Sequence, residues 1–224
     1  DVSMVGDEPL LMASKLKCPI IVHPSRAQSL IYLDDRRFDL ILCDDGLQHY
    51  QLDRDFEIAV VDGDREFGNK CLLPAGPLRE PISRLSEVDV SLTNKSNQES
   101  TRGNSFNLVG KKVINLHTNE ARSIQDFEGH EVHGVAGIGN PDRFFNFLEK
   151  RKIIVKRHPF KDHYNYDSSE LEFEDGLDIL MTEKDMVKCR GFINKKIWYV
   201  PVEVEFFDSD MKWLSDIEEL ARKA

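Results

Sequence analysis

The segment around Asp44 is the part of the sequence best suited to chemistry. An apolar run over Phe38–Cys43 predicts a strand, and Asp44 and Asp45 follow directly at its carboxyl end. In open α/β sheets that edge binds ligands, and carboxylates there suit Mg²⁺ held on nucleotide phosphates. Gln48 and His49 come next and are expected to face the same site. A simple Asp-Asp-Gly turn after a strand is the alternative, and composition alone favours neither interpretation.

Two further acids, Asp7 and Glu8, lie between Gly6 and Pro9 at the predicted start of a helix. The helix dipole favours acidic side chains at that position. Taken alone, the motif therefore favours a charged helix start over a functional site.

A loop stiffened by three prolines, Leu72–Pro81, presents Arg79 and Glu80. The guanidinium group is suited to binding phosphate or carboxylate. An ion pair at a helix start explains the two side chains equally well.

The segment from His158 to Tyr164 places Asp162 beside His163. Such a neighbour can orient the ring of a general base, or the pair can bind a metal, whereas a solvated surface histidine is the ordinary alternative. Basic residues cluster nearby in an otherwise acidic protein. They could bind an anionic headgroup or a substrate phosphate, and a solvated face without a ligand is the alternative. They are Lys150, Arg151, Lys152, Lys156, Arg157 and Lys161.

The elements that must position these residues alternate between short apolar runs and helical patterns, which predicts parallel sheets with helical crossovers. Strands are expected at Ile20–Val22, Phe38–Cys43, Phe56–Val61, Val88–Leu92, Val113–Leu116, Glu131–Val135, Ile153–Val155, Leu177–Met181, Ile197–Val200 and Val202–Phe206.

Helices are expected where capping residues precede an apolar face. Ser25 caps one over Ser25–Leu33, and Asn140 followed by a proline starts another. Asp208 or Ser209 caps an amphipathic C-terminal helix. Polar residues 94–107 predict a linker between two α/β units.

Composition excludes several classes of protein. The 224 residues carry 30 basic and 40 acidic side chains, a net charge of −10 that argues against nucleic-acid binding by bulk charge. No apolar run is long enough for a membrane helix, and no signal peptide opens the sequence. The four cysteines lack a CxxC pair and are interpreted as reduced cytosolic thiols.

Taken in order, the motifs resemble those of the tetraacyldisaccharide 4′-kinase family. A single one would be weak evidence, but the ordered set runs through essentially the whole chain. It comprises Gly6–Pro9, Asp44–His49, Arg54–Asp55, Val61–Gly63, Phe67–Asn69, Leu72–Arg84, Gly137–Phe145, Asp162–His163 and Thr182–Asp185.

The resemblance implies an ATP- and Mg²⁺-dependent kinase that phosphorylates the 4′-hydroxyl of an acylated glucosamine disaccharide 1-phosphate. The product is lipid IV-A, in lipid A biosynthesis at the cytoplasmic face of the bacterial inner membrane. The implied fold is α/β, with a P-loop-NTPase-like parallel sheet and a second, smaller α/β domain. The expected division is 1–128 for the kinase core with its linker, 129–205 for the smaller domain and 206–224 for the C-terminal helix.

The resemblance also implies roles for individual residues. Asp7 and His163 match the pair that orients or deprotonates the sugar hydroxyl. Asp44 and Asp45 match the carboxylates on the Mg²⁺ side, with Asp45 also counted as catalytic. Contacts with nucleotide phosphates or substrate are implied for Gln48, His49, Arg79 and Glu80. The family's Asp-His-His reads Asp162-His163-Tyr164, which retains the first histidine.

The family's membrane helix and Walker A loop precede the Gly6–Pro9 motif, and no GxxxxGK[ST] pattern occurs in this sequence. We therefore expect a fragment that alone binds ATP poorly and transfers little phosphate. We also expect exposed apolar surface along one flank of the incomplete sheet and correspondingly weak stability.

Two other functions stay open on the sequence. One is a catalytically incompetent remnant that acts as a lipid-binding module through the basic cluster. The other is a metal-dependent hydrolase that uses Asp44, Asp45, His49 and His163.

Overall fold

This computed structural model describes residues 2–33, 38–95, 104–207 and 211–223. The chain forms two compact units, each built from two separate segments. The first unit comprises Asp1–Val22 and Val109–Glu203, and the second comprises His23–Leu108 and Val204–Ala224.

The α-helices of the described residues are α1 Val2–Val5, α2 Asp7–Lys15, α3 Arg26–Ser29, α4 Pro141–Glu149, α5 Glu183–Met186 and α6 Lys212–Lys223. The strands are β1 Ile58–Asp62, β2 Val90–Asn94, β3 Ser105–Val109, β4 Lys112–Asn115, β5 Ala121–Ser123, β6 Glu131–Ala136, β7 Ile154–Pro159, β8 Asp178–Thr182, β9 Ile197–Val200 and β10 Glu203–Phe206.

The first unit contains a six-stranded sheet with the order β5-β4-β9-β8-β6-β7. Strand β6 pairs in parallel with both β7 and β8, and β8 pairs in parallel with β9. Strand β4 runs antiparallel to β5 and β9. The parallel strands β6 and β8 are covered on both faces, so all but their first residues are buried.

Each face of this sheet carries its own apolar core. Leu180 packs into a cluster with Phe145 and Leu148 of α4. Its neighbours Ile179 and Met181 belong to a separate cluster, because successive strand residues point to opposite faces. This second cluster is joined by Leu11 of α2, so it also packs beneath the helix that carries Asp7.

The second unit contains a four-stranded sheet with the order β1-β2-β3-β10, in which β2 pairs in parallel with β1 and β3. Its core is small, and its fully buried members are Val90, Leu92 and Phe106. Phe206 and Trp213 pack against this cluster, so the last strand and α6 complete the unit.

The capping residues expected from the sequence are found where the structure describes them. The Ser25 side chain accepts a hydrogen bond from the Gln28 amide. The Asn140 side chain accepts one from the Arg143 amide, with Pro141 in the first turn of α4. The expected caps Asp208 and Ser209 lie outside the described residues.

Two expected strands are not formed. The structure assigns no strand to Ile20–Val22 or to Phe38–Cys43. Leu40, Ile41 and Leu42 are instead 48%, 55% and 78% exposed. A strand needs a hydrogen-bonded neighbour, and no described strand pairs with either segment. The apolar composition therefore predicted these strands wrongly.

The expected domain boundaries, 1–128, 129–205 and 206–224, do not coincide with the two units. Helix α2 packs against α5, which places the N-terminal segment in the unit formed by the later strands. Strand β10 joins the second unit's sheet. The six-stranded sheet lies in the unit that contains residues 129–203.

Strands β3 and β5 were not expected. Residues 104–107 had been included in the polar linker, and Ala121–Ser123 has no apolar run. Within the described part of the chain, no helix combines the length and the apolar character needed to cross a membrane.

Candidate active site

The candidate site of the first unit is built on the N-terminus of α2. Gly6 caps the helix with φ 85°, a left-handed conformation that glycine adopts at little cost. Asp7 is therefore the first residue of the helix, and it is 3% exposed. The helix dipole favours the charged carboxylate there.

The Asp7 carboxylate contacts the imidazole ring of His163. The His163 Nδ1 atom lies 3.0 Å from Asp7 Oδ1 and 3.1 Å from Asp7 Oδ2. The His163 side chain is 57% exposed, and its backbone has a positive φ of 57°. The main-chain amide of His163 donates to the Asp162 carboxylate at 3.0 Å, which fixes this turn. The other ring nitrogen, Nε2, lies 3.8 Å from Asp162 Oδ2, beyond hydrogen-bond distance, and much of the ring faces solvent.

Two lysines approach the same carboxylate. The Lys188 ammonium is 3.3 Å from Asp7 Oδ2, and both side chains are buried. Lys184 acts on Asp7 through its charge and forms an ion pair with Glu8 at 2.9 Å. Burial by itself would raise the pKa of Asp7, but Lys184, Lys188 and His163 together hold that pKa below its usual value. Asp7 is therefore charged at neutral pH.

A charged aspartate against Nδ1 selects the histidine tautomer that carries a proton on Nδ1 and leaves Nε2 free as a base. Ligand atoms of Asp7, Glu8 and His163 also lie within 4.8 Å of one another, close enough for a cation. The Asp7 carboxylate, however, already contacts the Lys188 ammonium. We therefore interpret this group as an acid–base pair.

The double-aspartate motif belongs to the second unit. Asp44 and Asp45 are exposed, and Asp45 adopts a left-handed conformation with φ 51° before the short helical turn Gly46–Gln48. Arg54 holds this turn by donating to the main-chain oxygens of Gly46 at 3.1 Å and Leu47 at 2.9 Å. Two solvent-facing carboxylates on a fixed turn form a donor set suited to Mg²⁺, which keeps several water ligands.

Gln48 connects this turn to the proline-rich loop. Its amide nitrogen donates to Glu80 Oε1 at 3.4 Å, and its amide oxygen accepts from Arg79 at 3.4 Å. His49 is half-buried and, with Arg26, lines a cleft of about 410 Å³. The structure therefore brings Gln48, Arg79 and Glu80 together.

Sequence analysis missed Lys188 and the buried Asp185 that pairs with it at 3.3 Å. The Thr182–Asp185 motif counted only as a member of the ordered family set, and in the structure Thr182 caps α5. The available signal for Lys188 was its position between Val187 and Cys189, because a lysine inside an apolar run needs a buried partner.

Three of the six residues of the basic cluster are paired with neighbouring acids. Lys152 pairs with Glu128 at 2.6 Å, and Lys156 pairs with Asp175 at 2.9 Å. Arg157 contacts Asp142, Asn146 and Glu149. This pairing favours a solvated face over an anion-binding site.

The parallel-rich sheets define an α/β protein, in which Asp7 and His163 are in hydrogen-bond contact. A family model described as tetraacyldisaccharide-1-P 4′-kinase matches residues 1–221. The chain therefore belongs to the tetraacyldisaccharide 4′-kinase family, as the ordered motifs indicated.

Individual relatives agree with this assignment. The tetraacyldisaccharide 4′-kinase of Ectopseudomonas mendocina is 46% identical over 222 residues, covering 98% of this chain and 66% of that protein. That of Ruthia magnifica is 46% identical over 215 residues, covering 96% and 68%. The chain thus spans about two thirds of the length of the curated relatives it matches.

A solved structure shows the same fold. It is the "apo" form of LpxK from Aquifex aeolicus in complex with ATP. It is 27% identical to this chain, with a TM-score of 0.74 and coverage of 96% of this chain and 69% of that chain. This match confirms the α/β fold class expected from the sequence.

Proposed function

We propose that this chain is part of a kinase that transfers the γ-phosphate of ATP to the 4′-hydroxyl of a tetraacyldisaccharide 1-phosphate, forming lipid IV-A. The observation that carries the proposal is the hydrogen-bonded contact of His163 Nδ1 with the charged Asp7 carboxylate. Family membership supplies the reaction class.

His163 acts on the acceptor hydroxyl in this proposal. Asp7 accepts from Nδ1–H, so Nε2 accepts the proton of the 4′-hydroxyl as its oxygen attacks the γ-phosphorus. The bond from phosphorus to the β–γ bridging oxygen breaks, and ADP leaves with that electron pair. The buried Asp7 then stabilises the imidazolium.

For residues of the second unit we propose contacts with the nucleotide. Asp44 and Asp45 would hold Mg²⁺, and the bound metal would supply neutralisation of the phosphate charge that develops during transfer. Gln48 fixes Arg79 and Glu80, and we assign Arg79 to a phosphate group of ATP or of the lipid. His49 borders the same turn.

The acceptor is a lipid, so we propose that the protein works at the surface of the bacterial inner membrane, on its cytoplasmic face. The family of curated 4′-kinases supports a lipid disaccharide acceptor. A lipid-binding remnant is not favoured, because three of the six basic residues offered for lipid binding pair with acids instead.

Phosphate transfer by the natural full-length protein tests the proposal. The protein is mixed with γ-labelled ATP, Mg²⁺ and tetraacyldisaccharide 1-phosphate, and the lipid product is analysed by mass spectrometry and phosphorus NMR. A single phosphate gained at the 4′ position is expected. Tight lipid binding with no phosphate transfer would instead establish the binding module.

A further inference from the structure

A buried lysine lies behind the Asp7–His163 pair. The Lys188 side chain is 3% exposed, and its Nζ atom is 3.3 Å from Asp7 Oδ2. The same Nζ atom is 3.3 Å from Asp185 Oδ1, and the Asp185 side chain is fully buried. One ammonium group therefore connects two carboxylates away from water.

Asp185 is a rigid anchor for that lysine. Its Oδ2 atom accepts hydrogen bonds from the Thr182 hydroxyl at 2.6 Å and from the Gly137 amide at 3.0 Å. Thr182 ends β8, and Gly137 directly follows β6. Since two neighbouring strands of the sheet hold the carboxylate, Asp185 cannot readily move with its partner.

The Asp7 carboxylate is held by opposed contacts. Lys188 contacts Oδ2, whereas the Glu8 amide donates to Oδ1 at 3.1 Å. His163 Nδ1 lies between the two oxygens, at 3.0 Å and 3.1 Å. Without the lysine, the hydrogen-bond partners of the carboxylate among the described residues would be the Glu8 amide and His163 itself.

Stability alone is a weak reason for this arrangement. The desolvation free energy of a buried ammonium and two carboxylates offsets much of their electrostatic attraction. Apolar side chains of similar volume often stabilise a fold equally well. The surrounding residues already form an apolar cluster that includes Met186, Val187 and Cys189. The buried charges therefore point to a role beyond packing.

Resting on the proposed function, we propose that Lys188, anchored by Asp185, is a positioning residue that holds the Asp7 carboxylate against His163. The lysine fixes the face of Asp7 that meets Nδ1, and so keeps Nε2 directed to the acceptor hydroxyl. The remaining charged groups around Asp7 are Lys184, Glu8 and Asp162, and of these Lys184 pairs with both acids.

The test must separate positioning from folding. Lys188→Met alone leaves Asp185 buried without its cation, which destabilises the fold. The decisive variant is therefore Asp185→Asn/Lys188→Met, compared with Asp185→Asn alone. Lys188→Arg keeps the charge, and Lys152→Met removes an exposed lysine from an ion pair as a surface control.

Three readouts are taken on the natural full-length protein: kcat and KM for phosphate transfer, the unfolding midpoint, and NMR of the His163 ring nitrogens. Relative to Asp185→Asn, the double variant is expected to lose about 100-fold in kcat, as misplacement of a catalytic group does. KM for ATP and for the lipid should stay within about twofold, because the Lys188 side chain is only 3% exposed and is not placed to bind either substrate. NMR should show loss of the fixed Nδ1–H tautomer, and Lys188→Arg should recover part of kcat.

A double variant whose kcat and ring-nitrogen signals equal those of Asp185→Asn would overturn the inference. So would a folded Lys188→Arg that is as slow as the double variant. The proposed function is judged separately by His163→Gln in the same assay. If His163→Gln keeps wild-type kcat, the acid–base proposal itself fails; if it is inactive while the double variant is active, only the positioning role fails.

Discussion

The Nδ1 atom of His163 lies 3.0 Å from Asp7 Oδ1, although 156 positions of the chain separate the two residues. The contact forms because α2 packs against α5, at the carboxyl end of β8. Asp7 is buried and His163 is largely exposed. A buried carboxylate therefore orients an imidazole ring that solvent can reach.

The carboxylates of Asp44 and Asp45 are predicted to set the Mg²⁺ requirement. Asp44→Asn and Asp45→Asn remove negative charge from an exposed turn without disturbing a core. Each should lower kcat by about 100-fold at low Mg²⁺, because charge neutralisation dominates phosphoryl transfer. Kinetics across a Mg²⁺ titration provide the measurement. Asp64→Asn, another acid of the same unit, is the control, and an equal loss there would contradict the assignment.

The free energy of unfolding is predicted to depend on pH through His158. Burial and the neighbouring His133 hold its pKa below the usual 6.5, against the opposing effect of Asp175 and with a small contribution from Lys156. The unfolded chain then binds more protons than the folded chain as the pH falls through about 6.5, so the unfolding free energy decreases on acidification.

Denaturant unfolding at several pH values measures this effect. His158→Gln should remove that part of the pH dependence, because glutamine does not titrate. His117→Gln, at an exposed position, is the matched control and should leave the profile unchanged. An unaltered pH profile in His158→Gln would exclude the histidine as its source.

Two isoleucines of the first unit are predicted to contribute differently to the free energy of unfolding. Ile153 is 3% exposed and Ile193 is 79% exposed. Ile153→Ala should lower the unfolding free energy by about 3 kcal/mol through lost burial and a residual cavity, whereas Ile193→Ala should change it by less than about 0.5 kcal/mol. Equal effects in denaturant unfolding would contradict the placement of Ile153.

Gly137 is predicted to tolerate no side chain. A Cβ atom there would lie 2.6 Å from the Tyr166 hydroxyl and 3.1 Å from Asp185 Oδ1. Gly137→Ala should therefore destabilise the protein by about 1–3 kcal/mol and lower kcat by displacing Asp185. Gly191→Ala, where nothing lies within 4 Å, is the control. Wild-type stability and kcat in Gly137→Ala would refute the close packing.

Elements that rely on local signals could be predicted from the sequence. Helix α4 follows from a capping Asn140, a proline and the buried face of Phe144, Phe145 and Leu148. Strand β9, Ile197–Val200, has the predicted bounds. Capping and periodicity act within a few residues, so the chain itself displays them.

Elements that rely on distant partners could not be predicted. Phe38–Cys43 is apolar enough for a strand but has no described strand beside it. The polar strand β5 forms only because β4 lies next to it. Lys188 likewise shows its role only once folding brings Asp7 and Asp185 to it.

The most direct test of the central claim is a double-mutant cycle on phosphate transfer, with Asp7→Asn, His163→Gln and their combination in the natural full-length protein. Because the two residues act as one base, each single variant should lose about 100-fold or more in kcat and the combination little more. Nucleotide affinity, measured in parallel, should not change. Wild-type kcat in His163→Gln, or losses that multiply in the combination, would contradict the account.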